Sequence, residues 1–249
     1  MKSIVQLFCA LVLGLLLVNP VLAGSLDTDL LDLQRAWAHV NYEVEGSDAR
    51  EKAFEALLPQ ADAFVKAYPE RAEPLIWKGI VLSTYAGAKG GLGALGLVKD
   101  AKGALEAALA IDEAALEGSA HTSLGSLYYQ VPGWPLSFGD DDKAKEHLRA
   151  ALKINPNGID SNYFFADYLV EQGDKERARV YLERALAASP RPERPVAEKP
   201  ISRSSWENLI KTGYPTAASQ LSLQKPLRSC ASAMTVADDL FCASSPGQG

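Results

Sequence analysis

The chain repeats itself at a spacing of 34 residues, and this period limits the folds that are open to it. The two copies share four positions: Ala144, Leu148, Ala151 and Pro156, then Ala178, Leu182, Ala185 and Pro190. Spacings of four and three residues place the first three side chains of each copy on one face of a helix. A unit of this length is a helix, a tight turn and a second helix, which buries its apolar face only by stacking on a neighbouring unit.

The same spacing extends toward the N-terminus. The second-helix pattern recurs, with Glu113 in place of the proline, at Ala101, Leu105 and Ala108. The first helices share a small residue that lets two helices approach closely: Gly79, Gly125 and Ala166. A looser match pairs an apolar run in residues 30–44 with Leu57, Ala61, Phe64 and Pro69. The pattern predicts an all-α fold, a right-handed solenoid of about four helical hairpins over residues 24–190, with the best repeats at 70–190.

The N-terminus resembles a secretory signal peptide. Met1 and Lys2 precede a mostly apolar run over residues 4–18, and a small residue, Ala23, stands just before Gly24. This pattern predicts cleavage after Ala23 and a periplasmic or secreted location. The alternative is an uncleaved anchor helix, although the run is shorter than the ~20 residues that span a bilayer. We therefore expect no membrane span after cleavage.

The C-terminal region, residues 191–249, differs in composition from the repeats. Prolines interrupt it near its start, and no sustained helical period follows, so we expect a Pro- and Ser-rich tail that is mostly disordered, with one short helix near residues 203–211. Cys230 and Cys242 both lie in this tail. In an oxidising compartment they either form a disulfide or remain two free thiols, and the sequence leaves both readings open.

The charge of the chain excludes some partners. Without residues 1–23 it has 24 Lys and Arg against 31 Asp and Glu, and no basic cluster stands out. We therefore predict that it binds neither nucleic acid nor an anionic lipid surface. No cofactor or metal site is predicted, because the three histidines, His39, His121 and His147, are expected to lie in three different helical pairs.

No catalytic pattern stands out, and the sequence predicts a protein that is not an enzyme. Residues 91–96 do spell a Gly-rich dinucleotide fingerprint, but that motif requires a preceding strand, and a helical segment precedes it here. A run of three carboxylates at Asp140–Asp142 directly precedes a predicted helix. Acidic residues in that position are expected to cap the helix rather than to perform acid–base chemistry.

Two insertions lengthen the turns between the first and second helices of neighbouring units. Gly79 and Ala101 are 22 positions apart, and Gly125 and Ala144 are 19 apart, where the equivalent Ala166 and Ala178 are only 12 apart. Equivalent turns of stacked repeats emerge along one edge, so we expect the two loops to form a common rim. The predicted rim residues are Tyr85, Lys89, Tyr128, Tyr129, Trp134 and Phe138. The alternative is that the aromatic rings fold back as a small satellite core.

A second candidate surface is the concave groove, which the first helix of each unit lines. Helical register places these residues there: Ile76, Ile80, Thr122, Ser126, Tyr163 and Asp167. This face is uncharged to acidic, which suits a neutral or cationic ligand, an apolar segment or a second copy of the chain. The alternative is a solvated groove that holds no ligand.

The repeat positions identify residues 70–190 as similar to the tetratricopeptide-repeat superfamily. Two inserted motifs, Tyr-Ala-Gly-Ala-Lys-Gly-Gly at 85–91 and Gly-Trp-Pro-Leu-Ser-Phe-Gly at 133–139, resemble those of periplasmic proteins related to the T component of TRAP transporters. That resemblance implies association with a periplasmic substrate-binding protein, and oligomers of the chain itself. The chain departs from the lipoprotein members in having no cysteine after the cleavage site.

Taken together, the sequence predicts an exported scaffold that binds a protein partner, with the TRAP-type uptake accessory as its specific version. The alternative is a periplasmic carrier of a small molecule or lipid, which would use an apolar pocket beside the two inserted loops.

Overall fold

The computed structural model describes residues 24–189 of the chain, and the regular structure in this range is entirely helical. Its eight helices, numbered in chain order, are α1 (Leu26–Glu43), α2 (Ser47–Ala67), α3 (Ala72–Lys89), α4 (Ala94–Ile111), α5 (Ala115–Gln130), α6 (Asp141–Ile154), α7 (Ile159–Glu171) and α8 (Lys175–Ala187).

The helices pack as four successive hairpins. Each odd-numbered helix packs against the helix that follows it, and α1, α3, α5 and α7 also contact one another in order. The second helix of each hairpin contacts the first helix of the next one. This arrangement confirms the predicted all-α stack of four helix pairs.

The repeat positions form the core of the stack. Ala144, Leu148 and Ala151 are fully buried in α6, and so are their equivalents in α4, Ala101, Leu105 and Ala108. The small residues of the first helices meet these leucines: a Cβ atom added to Gly125 would lie 2.5 Å from Leu148 Cγ, and one added to Gly79 would lie 2.5 Å from Leu105 Cγ. The predicted close approach of the two helices is confirmed for the second and third hairpins.

The first insertion does not form the long loop that the separation of Gly79 and Ala101 predicted. Helix α3 continues to Lys89 and α4 begins at Ala94, so the turn between them is short. Each of these helices has 18 residues, against 13 in α7 and in α8. The inserted residues lengthen the hairpin because alanines among them favour helix. Helix α3 then ends where Gly90 and Gly91 adopt left-handed backbone angles, with φ of 63° and 58°.

The second insertion does form a loop, as predicted. Helix α5 ends at Gln130 and α6 begins at Asp141. The side chain of Asp140 accepts hydrogen bonds from the backbone N–H groups of Asp142 and Lys143, each at 3.1 Å. The carboxylate cluster therefore caps α6, which confirms the structural interpretation of the acidic run.

Several predictions fall outside residues 24–189. They concern the signal peptide, the tail with its helix near 203–211, and the pairing of Cys230 with Cys242. None of the helices in the described range combines the length and the hydrophobicity that a membrane span needs.

Candidate binding surface

The loop between α5 and α6, residues 131–140, is held closed at its base, and we call it the tryptophan loop. The backbone N–H of Gly139 donates to the carbonyl of Pro132 at 3.0 Å, and that of Asp140 donates to the carbonyl of Tyr128 at 2.8 Å. The two backbone segments at the base of the loop lie so close that a Cβ atom at position 139 would come within 1.9 Å of the Val131 carbonyl oxygen. Only glycine fits there, and the loop is anchored by backbone contacts.

Two large apolar side chains project from this anchored loop. Trp134 is 90% exposed and Leu136 is 59% exposed. A third exposed apolar side chain, Leu92, lies at 77% exposure in the α3–α4 turn, which is the equivalent turn of the preceding hairpin. Because α3 and α5 lie side by side as the first helices of adjacent hairpins, these two turns share one edge of the stack.

Phe138 belongs to the base of the loop rather than to its exposed tip. Its ring makes an edge-to-face contact with the ring of Tyr128, with centroids 5.6 Å apart. The ammonium nitrogen of Lys102, on α4, lies 5.8 Å from the centroid of the same ring. Each of the two alternatives for the aromatic residues therefore holds for one of them. Phe138 packs back onto the helices, while Trp134 is exposed to solvent.

The other predicted rim residues are less exposed. Tyr85, Tyr128 and Tyr129 are buried within α3 and α5. Lys89 ends α3, and its ammonium nitrogen lies 2.8 Å from a carboxylate oxygen of Glu51 on α2. These positions are helical because the first insertion extends α3 and because α5 continues to Gln130. The exposed part of the rim is therefore formed by Trp134 and Leu136, with Leu92 on the neighbouring turn.

The predicted groove residues lie on the first helices, as expected, but most of them are buried. Only Tyr163 is partly exposed, and the buried members are Ile76, Ile80, Thr122, Ser126 and Asp167. Helical register alone did not anticipate this burial, because it describes only which way a side chain points.

A buried polar network joins α5 to α7 on this face. The hydroxyl of Tyr129 donates a hydrogen bond to the Asp167 carboxylate and accepts one from the side-chain amide of Gln130 at 3.2 Å. Burial, followed by the nearby negative charge of Asp167, raises the pKa of Tyr129 well above its ordinary value of 10.0. The tyrosine is therefore a neutral hydrogen-bond donor at neutral pH.

The expectation that the three histidines lie in different helical pairs is wrong for two of them. His121 on α5 and His147 on α6 belong to the same hairpin, and their Nδ1 atoms are 2.9 Å apart. His147 also stacks on the ring of Tyr128, with centroids 5.5 Å apart. The two histidines are 26 residues apart in the sequence, so the contact was not evident from spacing. They lie at similar distances before and after the 131–140 loop, and the antiparallel hairpin therefore places them side by side.

Both imidazoles are held toward their neutral form. Burial lowers the pKa of His121 below 6.5, against the opposing charge of Glu113, whose carboxylate lies 3.9 Å from the other ring nitrogen. Burial and the charge of His121 lower the pKa of His147 below 6.5, and Lys102 acts in the same direction. The remaining charges that face the pair, Glu106 on α4 and Glu146 on α6, favour protonation.

This pair predicts a loss of stability in mild acid. Because the folded-state pKa values lie below that of an unfolded histidine, the stabilisation is complete above pH 6.5 and is lost as the pH falls toward the folded-state values. Urea unfolding at pH 7.5 and 5.5 should show a smaller decrease in the free energy of unfolding for the His121→Gln/His147→Gln variant than for the wild type. Equal decreases in the two proteins would contradict the assignment.

In the part of the chain that the structure describes, the histidine pair is not accompanied by further metal ligands. Within residues 24–189, no group of three or more His, Cys, Asp and Glu side chains is arranged to hold a metal ion. The Gly-rich motif at 91–96 follows helix α3 and runs into α4, and no strand lies within the described range, so the βαβ context of a dinucleotide site is missing from this part of the chain.

Comparison with known proteins agrees with this architecture. Residues 136–195 match the family described as tetratricopeptide repeat. Among solved structures, the crystal structure of a thermophilic TPR protein from Thermus thermophilus is similar, with a TM-score of 0.50 and 17% sequence identity, over 85% of this chain and 100% of that one. At this identity the likeness concerns the fold alone. A search of curated proteins found no match.

Proposed function

We propose that this chain is an exported tetratricopeptide-repeat scaffold that binds a protein partner through the tryptophan loop. The observation that carries this proposal is the exposure of Trp134, at 90%, on a loop whose base is fixed by backbone hydrogen bonds. Repeat stacks of this class bind rather than react, and their inserted loops supply binding residues.

The energetics favour a binding role for this side chain. An exposed tryptophan side chain adds no hydrophobic stabilisation to the folded state. Its burial in a partner's pocket contributes strongly to affinity, and tryptophan is enriched among binding hot spots. The anchored loop base reduces the conformational entropy that is lost on association. Asp141 and Asp142, both exposed, begin α6 directly after the loop. We therefore expect the partner to offer an apolar pocket with a basic rim.

Truncation of the tryptophan tests the proposal. The tagged full-length wild type, Trp134→Ala and Val180→Ala are incubated with an envelope extract of the source organism, and the captured protein is quantified against bait concentration. Val180 is a matched control, since it is an exposed apolar residue on α8, outside the loop. We expect Trp134→Ala to weaken capture at least about tenfold, and Val180→Ala to leave it unchanged. Unchanged capture by Trp134→Ala would contradict the proposal.

The export part of the proposal rests on the apolar run at residues 4–18 and the small residue Ala23 before Gly24. The mass of the protein purified from the envelope fraction tests it, with a chain beginning at Gly24 as the expected result. A full-length chain that begins at Met1 would contradict it.

The narrower version, an accessory of a TRAP-type uptake system, rests on the motifs at 85–91 and 133–139. It requires that the captured protein be a periplasmic substrate-binding protein. No contact in residues 24–189 specifically favours the alternative of a small-molecule or lipid carrier.

A further inference from the structure

The histidine pair contacts the residue that closes the base of the tryptophan loop. The imidazole of His147 stacks on the ring of Tyr128, with an interplanar angle of 10°. Tyr128 fixes the loop twice, because its ring contacts Phe138 and its backbone carbonyl accepts the hydrogen bond from the N–H of Asp140. The Nδ1 atoms of His121 and His147 are 2.9 Å apart, so a continuous series of contacts leads from His121 to the loop.

The short distance between the two Nδ1 atoms makes the pair sensitive to the number of protons that it holds. One Nδ1–H donates to the other Nδ1 when both rings are neutral, and also when only one ring is an imidazolium. When both rings are imidazolium ions, each Nδ1 carries a hydrogen and neither accepts one. Two positive rings whose centroids are 5.2 Å apart also repel each other. The second proton therefore forces the contact to open.

Charges from three neighbouring segments act on the pair. Lys102 on α4 disfavours a positive charge on His147. Three carboxylates oppose this effect: Glu106 on α4, Glu113 before α5 and Glu146 on α6. Burial outweighs these carboxylates, so the pKa of each histidine lies below 6.5 and both rings are predominantly neutral at pH 7.5. Double protonation therefore occurs only in mild acid.

Two lysines already place positive charge beside the aromatic rings of the loop base. The ammonium nitrogen of Lys143 lies 5.5 Å from the ring centroid of Tyr128, and that of Lys102 lies 5.8 Å from the ring centroid of Phe138. A positive His147 adds a third cation to the same pair of rings. Its attraction to the face of Tyr128 is therefore offset by repulsion from the lysines, and the stack loosens when the histidine contact opens.

The fourth hairpin has the same backbone bond without a titrating pair. The backbone N–H of Asp174 donates to the carbonyl of Leu169 at 2.8 Å, the length of the corresponding bond at the base of the tryptophan loop. The repeat positions equivalent to the two histidines hold Asn162 and Tyr181. Neither of these side chains titrates in mild acid. The fourth hairpin is therefore an internal reference for an effect of the histidines.

We propose that the His121–His147 pair is a proton-sensitive switch, which holds the base of the tryptophan loop closed at neutral pH and opens it when both rings are protonated in mild acid. The consequence for binding rests on the proposed function: the partner is bound at neutral pH and released in mild acid. An open base no longer fixes the position of Trp134, so more conformational entropy is lost when a partner binds it.

Amide hydrogen exchange of the full chain tests the switch without any partner. Protection factors, which correct for the intrinsic pH dependence of exchange, are measured by NMR at pH 7.5 and 5.5 for Gly139, Asp140 and the reference Asp174. We expect the factors of Gly139 and Asp140 to fall at least about tenfold at the lower pH, because the separated histidines bind protons more tightly than the closed pair. The variant His121→Gln/His147→Gln should change by less than about twofold, since glutamine does not titrate.

Three exchange results would overturn the proposal. They are unchanged protection of Gly139 and Asp140 in the wild type, an equal fall at Asp174, which would indicate a global loss of stability, and an equal fall in the double glutamine variant. The first two need only the wild type, so the test does not depend on how well the variant folds.

Partner capture supplies a second readout. The wild type should release the captured protein at pH 5.5, with retention at least about tenfold lower than at pH 7.5, whereas the double glutamine variant should retain it at both pH values. Equal retention by the wild type at both pH values would overturn the release. If no protein is captured at pH 7.5, the proposed function fails, while the exchange measurement still decides whether the switch exists.

Discussion

Replacement of Leu148 with alanine is expected to lower the free energy of unfolding by about 2–5 kcal/mol, the largest effect of a single substitution that this structure predicts. Leu148 is fully buried in α6 and lies against Gly125 of α5. The substitution removes most of a side chain from the contact that closes the third hairpin, and the backbones on either side are already as close as the glycine allows. The cavity therefore has little means of collapse.

Urea denaturation measures this effect, and the chain supplies a matched control. Leu92→Ala makes the same chemical change at a side chain that is 77% exposed in the α3–α4 turn. We expect this control to change the free energy of unfolding by less than about 0.5 kcal/mol. Similar effects of the two substitutions would contradict the repeat core described above.

The second large effect is expected from the double variant Gly79→Ala/Gly125→Ala. Each added Cβ atom would lie 2.5 Å from the Cγ of a buried leucine and 3.2–3.3 Å from a backbone oxygen of the facing helix. Overpacking of up to about 3 kcal/mol at each site exceeds the ~1 kcal/mol that alanine gains over glycine within a helix. The net expectation is a destabilisation of up to about 4 kcal/mol for the pair, provided that the two sites contribute independently.

The control makes the same substitution at two glycines of α4. Gly96 and Gly103 lie within this helix, and nothing stands within 4 Å of a Cβ atom at either position. Only helix propensity operates there, so Gly96→Ala/Gly103→Ala is expected to raise the free energy of unfolding by about 1–2 kcal/mol. Thermal unfolding of the two double variants should thus shift in opposite directions, and shifts in the same direction would contradict close packing at Gly79 and Gly125.

The hairpin stack could be predicted from the sequence because its signal is periodic. The pattern of Ala144, Leu148 and Ala151 recurs at fixed spacing, and the second helices bury these same positions against the first helix of their hairpin. The cap at Asp140 was also predictable, since it depends on residues that are neighbours in the chain. Local and repeated interactions leave a readable pattern.

The features that sequence reasoning missed depend on contacts between elements. The 22-position separation of Gly79 and Ala101 indicated a long loop, but most of the inserted residues extend α3 and α4, and only residues 90–93 form the turn. The contact between His121 and His147 depends on how far the longer α5–α6 connection shifts one helix along the other. The sequence does hold a signal for this contact. His121 lies one helical turn before Gly125, and His147 directly precedes Leu148, so both lie close to the contact between Gly125 and Leu148.

The aromatic loop shows a further limit. The sequence placed Trp134 and Phe138 together and left their exposure open. Phe138 contacts Tyr128 and Lys102, whereas Trp134 lies beyond the reach of the helices. Trp134 and Phe138 are only four residues apart, yet one is exposed and the other packs on the helices. The path of the loop backbone determines this difference, and the sequence alone does not give that path.

Site-specific photo-crosslinking from position 134 tests the central claim most directly. The full-length chain, with p-benzoylphenylalanine in place of Trp134, is expressed in the source organism and irradiated, and the same chain with the probe in place of Val180 serves as the control. The account predicts a discrete adduct between position 134 and one protein, and no such adduct from position 180. If position 134 gave no protein adduct although the chain accumulated and remained helical, the tryptophan loop would not be the binding surface of this protein.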